Sequence, residues 1–366
     1  MDKRKDVLGT DHPDTLQAMT NLAATYRNLG RYSEAETLEI WVMDKRKEVL
    51  GTYHPDTLKA MANLAATYWY LGRYSEAEIL SIQVMDQRKE MLGTDHPDTL
   101  NAMANLAATY SNLGRYSEAE TLEIQVMDKR KEVLDTDHPD ILEAMANLAA
   151  TYRNLGRYSE AETLSIQVMD KRKGVLGTDH PDTLKAMANL AATYWYLGRY
   201  SEAEILSIQV MDKRKEILGT AHPDTLKAMA NLAATYSNLG RYSEAETLEI
   251  QVMDKRKKML GTDHPDTLKA IANLAATYWY LGRYSKAETL SIQVMDKRKD
   301  VLGTDHPDTL KAMANLAATY RNLGRYSEAE TLDIQVMDKR KEVLGTDHPD
   351  TLFAMENLKL YGCFYI

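Results

Sequence analysis

Apolar residues recur along this chain at three- and four-residue steps, the spacing that places side chains on one face of an α-helix. Within residues 12–53, one such stripe begins at Leu16 and a second begins at Ala35. Gly30 and Gly51 follow the two stripes, where glycine commonly ends a helix. The pattern therefore predicts two helices of about 17 residues joined by a short turn.

The ends of these helices carry further signals. Pro13 suits the first helical position, because its missing N–H needs no partner there. Ser33 and Glu36 form the S-x-x-E pattern of a capping box, which predicts that Ser33 caps the second helix. The second stripe includes Val49 and the aliphatic stem of Arg46, so we expect both to lie against the core.

The two-helix unit repeats with a period of 42 residues. The phrase MDKRK, written MDQRK at residue 85, starts at residue 1 and recurs every 42 residues as far as residue 337. Such a period predicts a tandem array whose units bury their apolar faces only against neighbours. We predict one all-α domain over residues 1–366 with these helix-turn-helix units: 13–50, 55–92, 97–134, 139–176, 181–218, 223–260, 265–302, 307–344 and a partial 349–366, preceded by a helix remnant at 1–8.

Two motifs within the unit resemble the tetratricopeptide repeat. They are L-A-x-x-Y at residues 22–26 and G-x-Y-x-E-A at residues 30–35. The longer unit, with HPDTL, NLAATY, LGRYSEAE and KRKEVLG, resembles the kinesin light chain subclass across residues 1–358. The resemblance implies a right-handed α-solenoid superhelix whose first helices line a concave groove that binds proteins or peptides. Two features depart from it: the coiled coil of kinesin light chains is absent, and Glu39 and Ser81 stand where a large apolar residue is usual.

Composition limits the partners. The net charge of −9 argues against a nucleic-acid binder, which normally carries a basic excess. The chain has no apolar run near 18 residues, so no membrane partner is expected. Its single cysteine, Cys363, fits a reducing compartment. We expect a cytoplasmic protein.

The sequence contains no motif that indicates catalysis or metal binding. His-Pro-Asp occurs in all nine copies at a helix start, where capping explains it. The histidines lie about one repeat apart without a second His or Cys nearby, so a zinc site is not expected. Cys363 has no credible base to activate it. We expect no enzyme activity, no cofactor and no metal.

Candidate binding residues lie on the first helix of each unit. An asparagine recurs there, and the resemblance implies that it holds the backbone of an extended peptide; an amide offers both a donor and an acceptor. Basic residues and Trp-Tyr pairs vary between copies on the same face. The candidates are Asn63, Asn105, Asn147, Asn189, Asn231, Asn273, Asn315, Lys59, Lys185, Lys227, Lys269, Lys311, Arg27, Arg153, Arg321, Trp69, Tyr70, Trp195, Tyr196, Trp279 and Tyr280.

The leading hypothesis is a non-catalytic scaffold that binds acidic peptides with aromatic or leucine anchors. In the structural alternative, the asparagines join neighbouring helices, the lysines are solvated and the Trp-Tyr pairs are partly buried between first helices. Two other functions stay open: a sensor arm of a larger STAND/NB-ARC-type signalling NTPase, and a spacer without a ligand. Exposed ends favour end-to-end self-association or dimers. The tail at 356–366 leaves the repeat pattern, either as a cap on the last unit or as an effect of truncation.

Overall fold

A computed structural model describes residues 9–359 and residue 361 of the chain, and every regular element in that part is a helix. The prediction of an all-α chain of tandem helix pairs is confirmed. The chain divides into two compact units, Met1–Val133 and Leu134–Ile366. The predicted helix remnant at 1–8 and most of the tail, including Cys363, lie outside the described residues; the single domain stays a prediction.

Each repeat contains a first helix with an odd number and a second helix with an even number. In the first unit the helices are α1 (Pro13–Asn28), α2 (Tyr32–Leu50), α3 (Pro55–Tyr70), α4 (Tyr74–Leu92), α5 (Pro97–Asn112) and α6 (Tyr116–Val133). In the second unit they are α7 (Pro139–Asn154), α8 (Tyr158–Leu176), α9 (Pro181–Tyr196), α10 (Tyr200–Leu218), α11 (Pro223–Asn238), α12 (Tyr242–Leu260), α13 (Pro265–Tyr280), α14 (Tyr284–Leu302), α15 (Pro307–Asn322), α16 (Tyr326–Leu344) and α17 (Pro349–Lys359).

The His-Pro-Asp motif starts each first helix. In α1, His12 is the N-cap, and its imidazole Nδ1 accepts a hydrogen bond of 3.2 Å from the backbone N–H of Asp14. Pro13 occupies the first helical position, and the Asp14 carboxylate lies at the positive end of the helix dipole. His54 caps α3 in the same way. The histidine therefore has a structural role at these helix starts.

The turn after each first helix from α1 to α15 is a Schellman motif. Gly30 has a φ of 72°, and its N–H donates to the carbonyl of Arg27 at 3.0 Å. The N–H of Arg31 donates to the carbonyl of Tyr26 at 2.9 Å. These two bonds satisfy carbonyl groups that the end of α1 leaves without a partner, and they turn the chain directly into α2.

The capping box predicted at Ser33 is wrong. The Schellman turn brings the chain into α2 at Tyr32, so Ser33 already lies in the first helical turn and Arg31 is the N-cap, without a side-chain capping bond. The Arg31 guanidinium instead donates to Glu34 at 2.8 Å. It also lies 4.4 Å from the centre of the Tyr26 ring, a cation–π contact.

The apolar core runs between consecutive repeats. Leu16 and Met19 of α1 pack with Val42 of α2 and with Ala60 of the next first helix. In the second unit the same positions form the cluster of Leu226, Met229, Val252 and Ala270. Val49, expected in the core, is 53% exposed, because it lies in the last turn of α2 beyond the reach of the next helix pair.

Polar side chains also join neighbouring repeats. Arg46 is buried as a whole, not only along its stem, and its guanidinium donates to the carbonyl of Asp56 at the start of α3 at 3.1 Å. At the N-cap of α4, Arg73 reaches back to Glu36 of α2 at 2.6 Å and covers the ring of Tyr68. These contacts fix the second hairpin on the first.

At the C-terminal end, Tyr361 covers the last complete repeat. The ring is 3% exposed and packs on Ala317 and Ala329. Its hydroxyl donates to Asp333 at 2.5 Å and accepts from Arg321 at 2.9 Å. Of the two interpretations of the tail, the contacts of Tyr361 favour the cap.

Candidate functional site

Three equivalent cavities lie between consecutive first helices, each beside one of the Trp-Tyr pairs. Their volumes are about 190 Å³ at Trp69, 150 Å³ at Trp195 and 210 Å³ at Trp279. We call them the tryptophan pockets. The first belongs to the unit Met1–Val133 and the other two to Leu134–Ile366.

Each tryptophan pocket is built by three helices. In the first, α3 contributes Trp69 and the small residue Ala66, α4 contributes Ser81, and α5 contributes Asn105 and Ala108. Alanines at helical spacing keep α3 and α5 from filling the space between them with side chains. The serine at the base leaves room that a larger residue would occupy. The pocket therefore has an apolar wall and a polar amide at its side.

The indole rings are half-buried walls of these pockets. The N–H groups of Trp69, Trp195 and Trp279 are buried and have no hydrogen-bond partner in the structure. Trp69 meets Tyr74 edge to face, with ring centres 6.3 Å apart, and meets Tyr70 at 5.1 Å. Because a buried donor without a partner costs free energy, an acceptor placed there by a ligand would be favoured.

The tyrosines of the pairs stand beside the pockets and remain accessible. Tyr70 is 46% exposed and stacks on Tyr32 at 5.3 Å. Tyr196 and Tyr280 are exposed to a similar extent and stack in the same way on Tyr158 and Tyr242. Part of each ring thus packs between repeats, and part is exposed at the surface.

The asparagines divide into two groups. Asn105, Asn231 and Asn315 are exposed and line the three tryptophan pockets. The other predicted amides are half-buried: Asn63, Asn147, Asn189 and Asn273. The structure therefore places an accessible amide beside each tryptophan, on the next first helix.

The predicted lysines are exposed on the first helices. Lys185 forms an ion pair of 3.1 Å with Glu143 one repeat earlier. No acidic partner is seen in the described residues for the other four, which are Lys59, Lys227, Lys269 and Lys311. These four are the cations on this face that remain available to an acidic ligand.

The predicted arginines point into the molecule. Arg27 forms an ion pair of 3.0 Å with the carboxylate of buried Glu39 and donates to the carbonyl of Asn63 at 2.8 Å. Arg321 pairs with buried Asp333. Arg153 donates to Thr193 at 3.2 Å. Since two of these charges are neutralised inside the chain, the arginines add less to a basic surface than the lysines do.

The contacts of the arginines show that a position near the end of the first helix is paired with a position in the second helix. The residue near the end of each first helix faces the residue eight positions into the second helix, as Arg27 faces Glu39. We call these two positions the variable pair. It reads Trp–Ser at 69/81, 195/207 and 279/291, Arg–acid at 27/39 and 321/333, Ser–Glu at 111/123 and 237/249, and Arg–Ser at 153/165. Every first-helix tryptophan thus has a serine opposite it.

The Ser–Glu pair at 237/249 leaves a carboxylate without a cation. Glu249 is 5% exposed, and burial raises its pKa to about 7. A hydrogen bond from Thr277 lowers the pKa by less than burial raises it, and the nearby charge of Glu246 raises it further. In the first repeat burial raises the pKa of Glu39 too, while Thr67 and Arg27 oppose the shift.

Within residues 9–359 and 361, no group of three or more metal-ligating side chains is found, and no helix is long and apolar enough to cross a membrane.

Helical hairpins stacked in tandem, with pockets between their first helices, define a repeat protein of the protein-interaction type. Models of the tetratricopeptide repeat match residues 15–56, 62–132, 140–215, 225–266, 267–308 and 309–350. The chain belongs to the tetratricopeptide repeat family, whose members bind proteins or peptides, and its repeats are of the kinesin light chain type.

Solved structures extend the comparison. A Q17M form of a putative kinesin light chain from Podosopora anserina, with nearly identical repeats, is 30% identical; the match covers 57% of this chain and 98% of that one, with a TM-score of 0.50. The apo quorum sensor NprR from B. thuringiensis is 17% identical, covers 89% and 87%, and has a TM-score of 0.60. NprR in complex with its cognate peptide NprX is 18% identical, covers 88% and 86%, and has a TM-score of 0.58. No curated protein matches the chain.

Proposed function

We propose that the protein is a non-catalytic scaffold that binds an extended peptide along its first helices, with apolar side chains of the peptide in the tryptophan pockets. The observation that carries the proposal is the repeated combination of a cavity, an indole wall and an exposed asparagine at three equivalent places. Aromatic walls around a small cavity are typical of the anchor positions of binding surfaces.

The polar groups beside the pockets suit a peptide backbone. Asn231 and Asn315 flank the pockets of Trp195 and Trp279, and each amide offers a donor and an acceptor. Exposed Lys227 and Lys311 lie on the same first helices as these asparagines, one helical turn before them, and exposed Lys269 lies on α13 between them. They favour a ligand that carries acidic residues between its apolar anchors. The peptide complex of NprR, a chain that is 18% identical, supports the same use of this fold.

Spacing of the pockets defines the ligand further. The pockets of Trp195 and Trp279 are two repeats apart, and packed helices lie about 10 Å from each other, so the pockets are about 20 Å apart. An extended peptide rises about 3.3 Å per residue, so two anchors about six residues apart fit both pockets. Binding of both anchors by one chain gives avidity without new contacts.

A peptide panel tests the proposal. The panel combines acidic peptides with two leucine or phenylalanine anchors at three- or six-residue spacing, and binding is measured by fluorescence anisotropy. We expect the six-residue spacing to bind more tightly, and the triple variant W69A/W195A/W279A to lose at least about tenfold in affinity. W41Q is the matched control, because glutamine stands at that position in the other copies, as at Gln83.

A second variant separates loss of binding from loss of folding. Trp195→Arg with Tyr196→Asn, and Trp279→Arg with Tyr280→Asn, introduce the Arg-Asn sequence that the chain already carries opposite a serine at Arg153, Asn154 and Ser165. This variant should keep its helicity and lose peptide binding. Peptide affinity that is unchanged in both variants would contradict the proposal.

A further inference from the structure

Glu249 of α12 is an unpaired acid in a place where the fold elsewhere supplies an arginine. The side chain is 5% exposed, and its Oε2 atom has no hydrogen-bond partner. The residue opposite it in the variable pair is Ser237 of α11, which carries no charge. Thr277 of α13 donates to the carboxylate. A buried carboxylate normally has a cation or several donors around it, and here one donor is described.

In the first repeat, an arginine lies beside the buried carboxylate at the position equivalent to Glu249. There Arg27 points one guanidinium nitrogen at three acceptors: Glu39 at 3.0 Å, the carbonyl of Asn63 at 2.8 Å and the hydroxyl of Thr67 at 3.4 Å. The corresponding groups are Glu249 in the sixth repeat and, on α13 of the seventh repeat, the carbonyl of Asn273 and the hydroxyl of Thr277. All three acceptors are therefore present, and Ser237 is much smaller than the arginine that stands at the equivalent position of the first repeat.

The preceding repeat indicates how a ligand could reach the carboxylate of Glu249. One repeat earlier, Ser207 holds the same position as Glu249 and lines the open pocket of Trp195. The position of Trp195 is taken in the sixth repeat by the much smaller Ser237. Repeat equivalence assigns Glu249 to the corresponding place, between α11 and α13.

We propose that Glu249 and Ser237 form a binding site for a guanidinium group, such as the side chain of an arginine in a partner. The ligand group supplies in the sixth repeat what Arg27 supplies in the first. A guanidinium fits better than an ammonium, because its planar array of N–H donors can reach the carboxylate, the carbonyl and the hydroxyl together. This site is separate from the tryptophan pockets and stands whether or not those pockets bind a peptide.

The test uses the full-length chain and N-acetyl-L-arginine amide as the probe, with N-acetyl-L-citrulline amide as its uncharged counterpart. Thermal unfolding is followed by circular dichroism at pH 8. In the wild type, the arginine probe at a concentration of about ten times its Kd or above should raise Tm about 2 °C more than the citrulline probe does. The Glu249→Gln variant should show no such difference.

A second variant keeps the proposal falsifiable if glutamine disturbs the site. Ser237→Arg reproduces the Arg-Asn sequence and the acid of the first repeat, so the chain itself should fill the place. This variant should have a higher Tm than the wild type and should lose the difference between the two probes. An equal response of the wild type to both probes, or a difference that persists in both variants, would overturn the proposal.

Discussion

Glutamine in place of Glu249 is expected to stabilise the protein at pH 8 and to have a much smaller effect at pH 5. Burial raises the pKa of this carboxyl from 4.5 to about 7. The folded state therefore binds a proton that the unfolded state releases. The stability contributed by this proton is fully present below pH 4.5 and is lost as the pH rises through 7. A shift of this size corresponds to roughly 3 kcal/mol.

Urea unfolding of the wild type and of E249Q at the two pH values measures the effect. The gain from the substitution should be larger at pH 8 than at pH 5 by about 2 to 3 kcal/mol. E244Q is the control on the same helix, since Glu244 is exposed and its pKa is lowered by Arg241. If the E249Q gain were the same at both pH values, the carboxylate would not be held uncharged by burial.

Loss of Arg27 is expected to have the second large effect. The substitution R27S leaves Glu39, which is 3% exposed, without its cation and removes a donor from the carbonyl of Asn63. Removing one partner of a buried pair typically costs about 3 to 5 kcal/mol. We expect a loss of about 3 kcal/mol at pH 8, because the serine creates the same pair that is found at 237/249.

A pair of residues from another repeat should compensate for the loss of Arg27. The double variant R27W/E39S installs the Trp–Ser pair of the second repeat and removes the buried charge. Urea unfolding should show that the double variant recovers most of the stability lost by R27S. A double variant as unstable as the single one would mean that the two positions do not act as a pair.

Much of the fold was predictable because the same helix signals recur in every 42-residue repeat. Apolar spacing, Pro13 and Gly30 predicted the first helix, and the structure places α1 at Pro13–Asn28. The start of the second helix was wrong, since the S-x-x-E pattern at Ser33 is a local signal. The Schellman turn at Gly30 starts the helix one residue before Ser33 is reached. Burial of the Arg46 guanidinium depends on the next repeat, and no pattern within one unit reveals it.

The site was predictable in part. The sequence indicated which first-helix residues vary, and the structure brings Trp69 and Asn105 together at one pocket. It did not indicate that Arg27 turns inward, because the contact of Arg27 with buried Glu39 depends on how α1 packs against α2. The raised pKa of Glu249 depends on how deeply α13 covers it, which only the packed structure shows.

Intrinsic fluorescence tests most directly whether the tryptophan pockets hold the ligand. The chain has four tryptophans, and W41F removes the one outside the pockets. A peptide from the panel that lacks tryptophan is titrated into this variant, and its binding is measured in parallel by calorimetry. We expect the emission of Trp69, Trp195 and Trp279 to change with the same Kd as the heat of binding. Binding heat without any change in emission would contradict the account, because the peptide would then lie elsewhere on the protein.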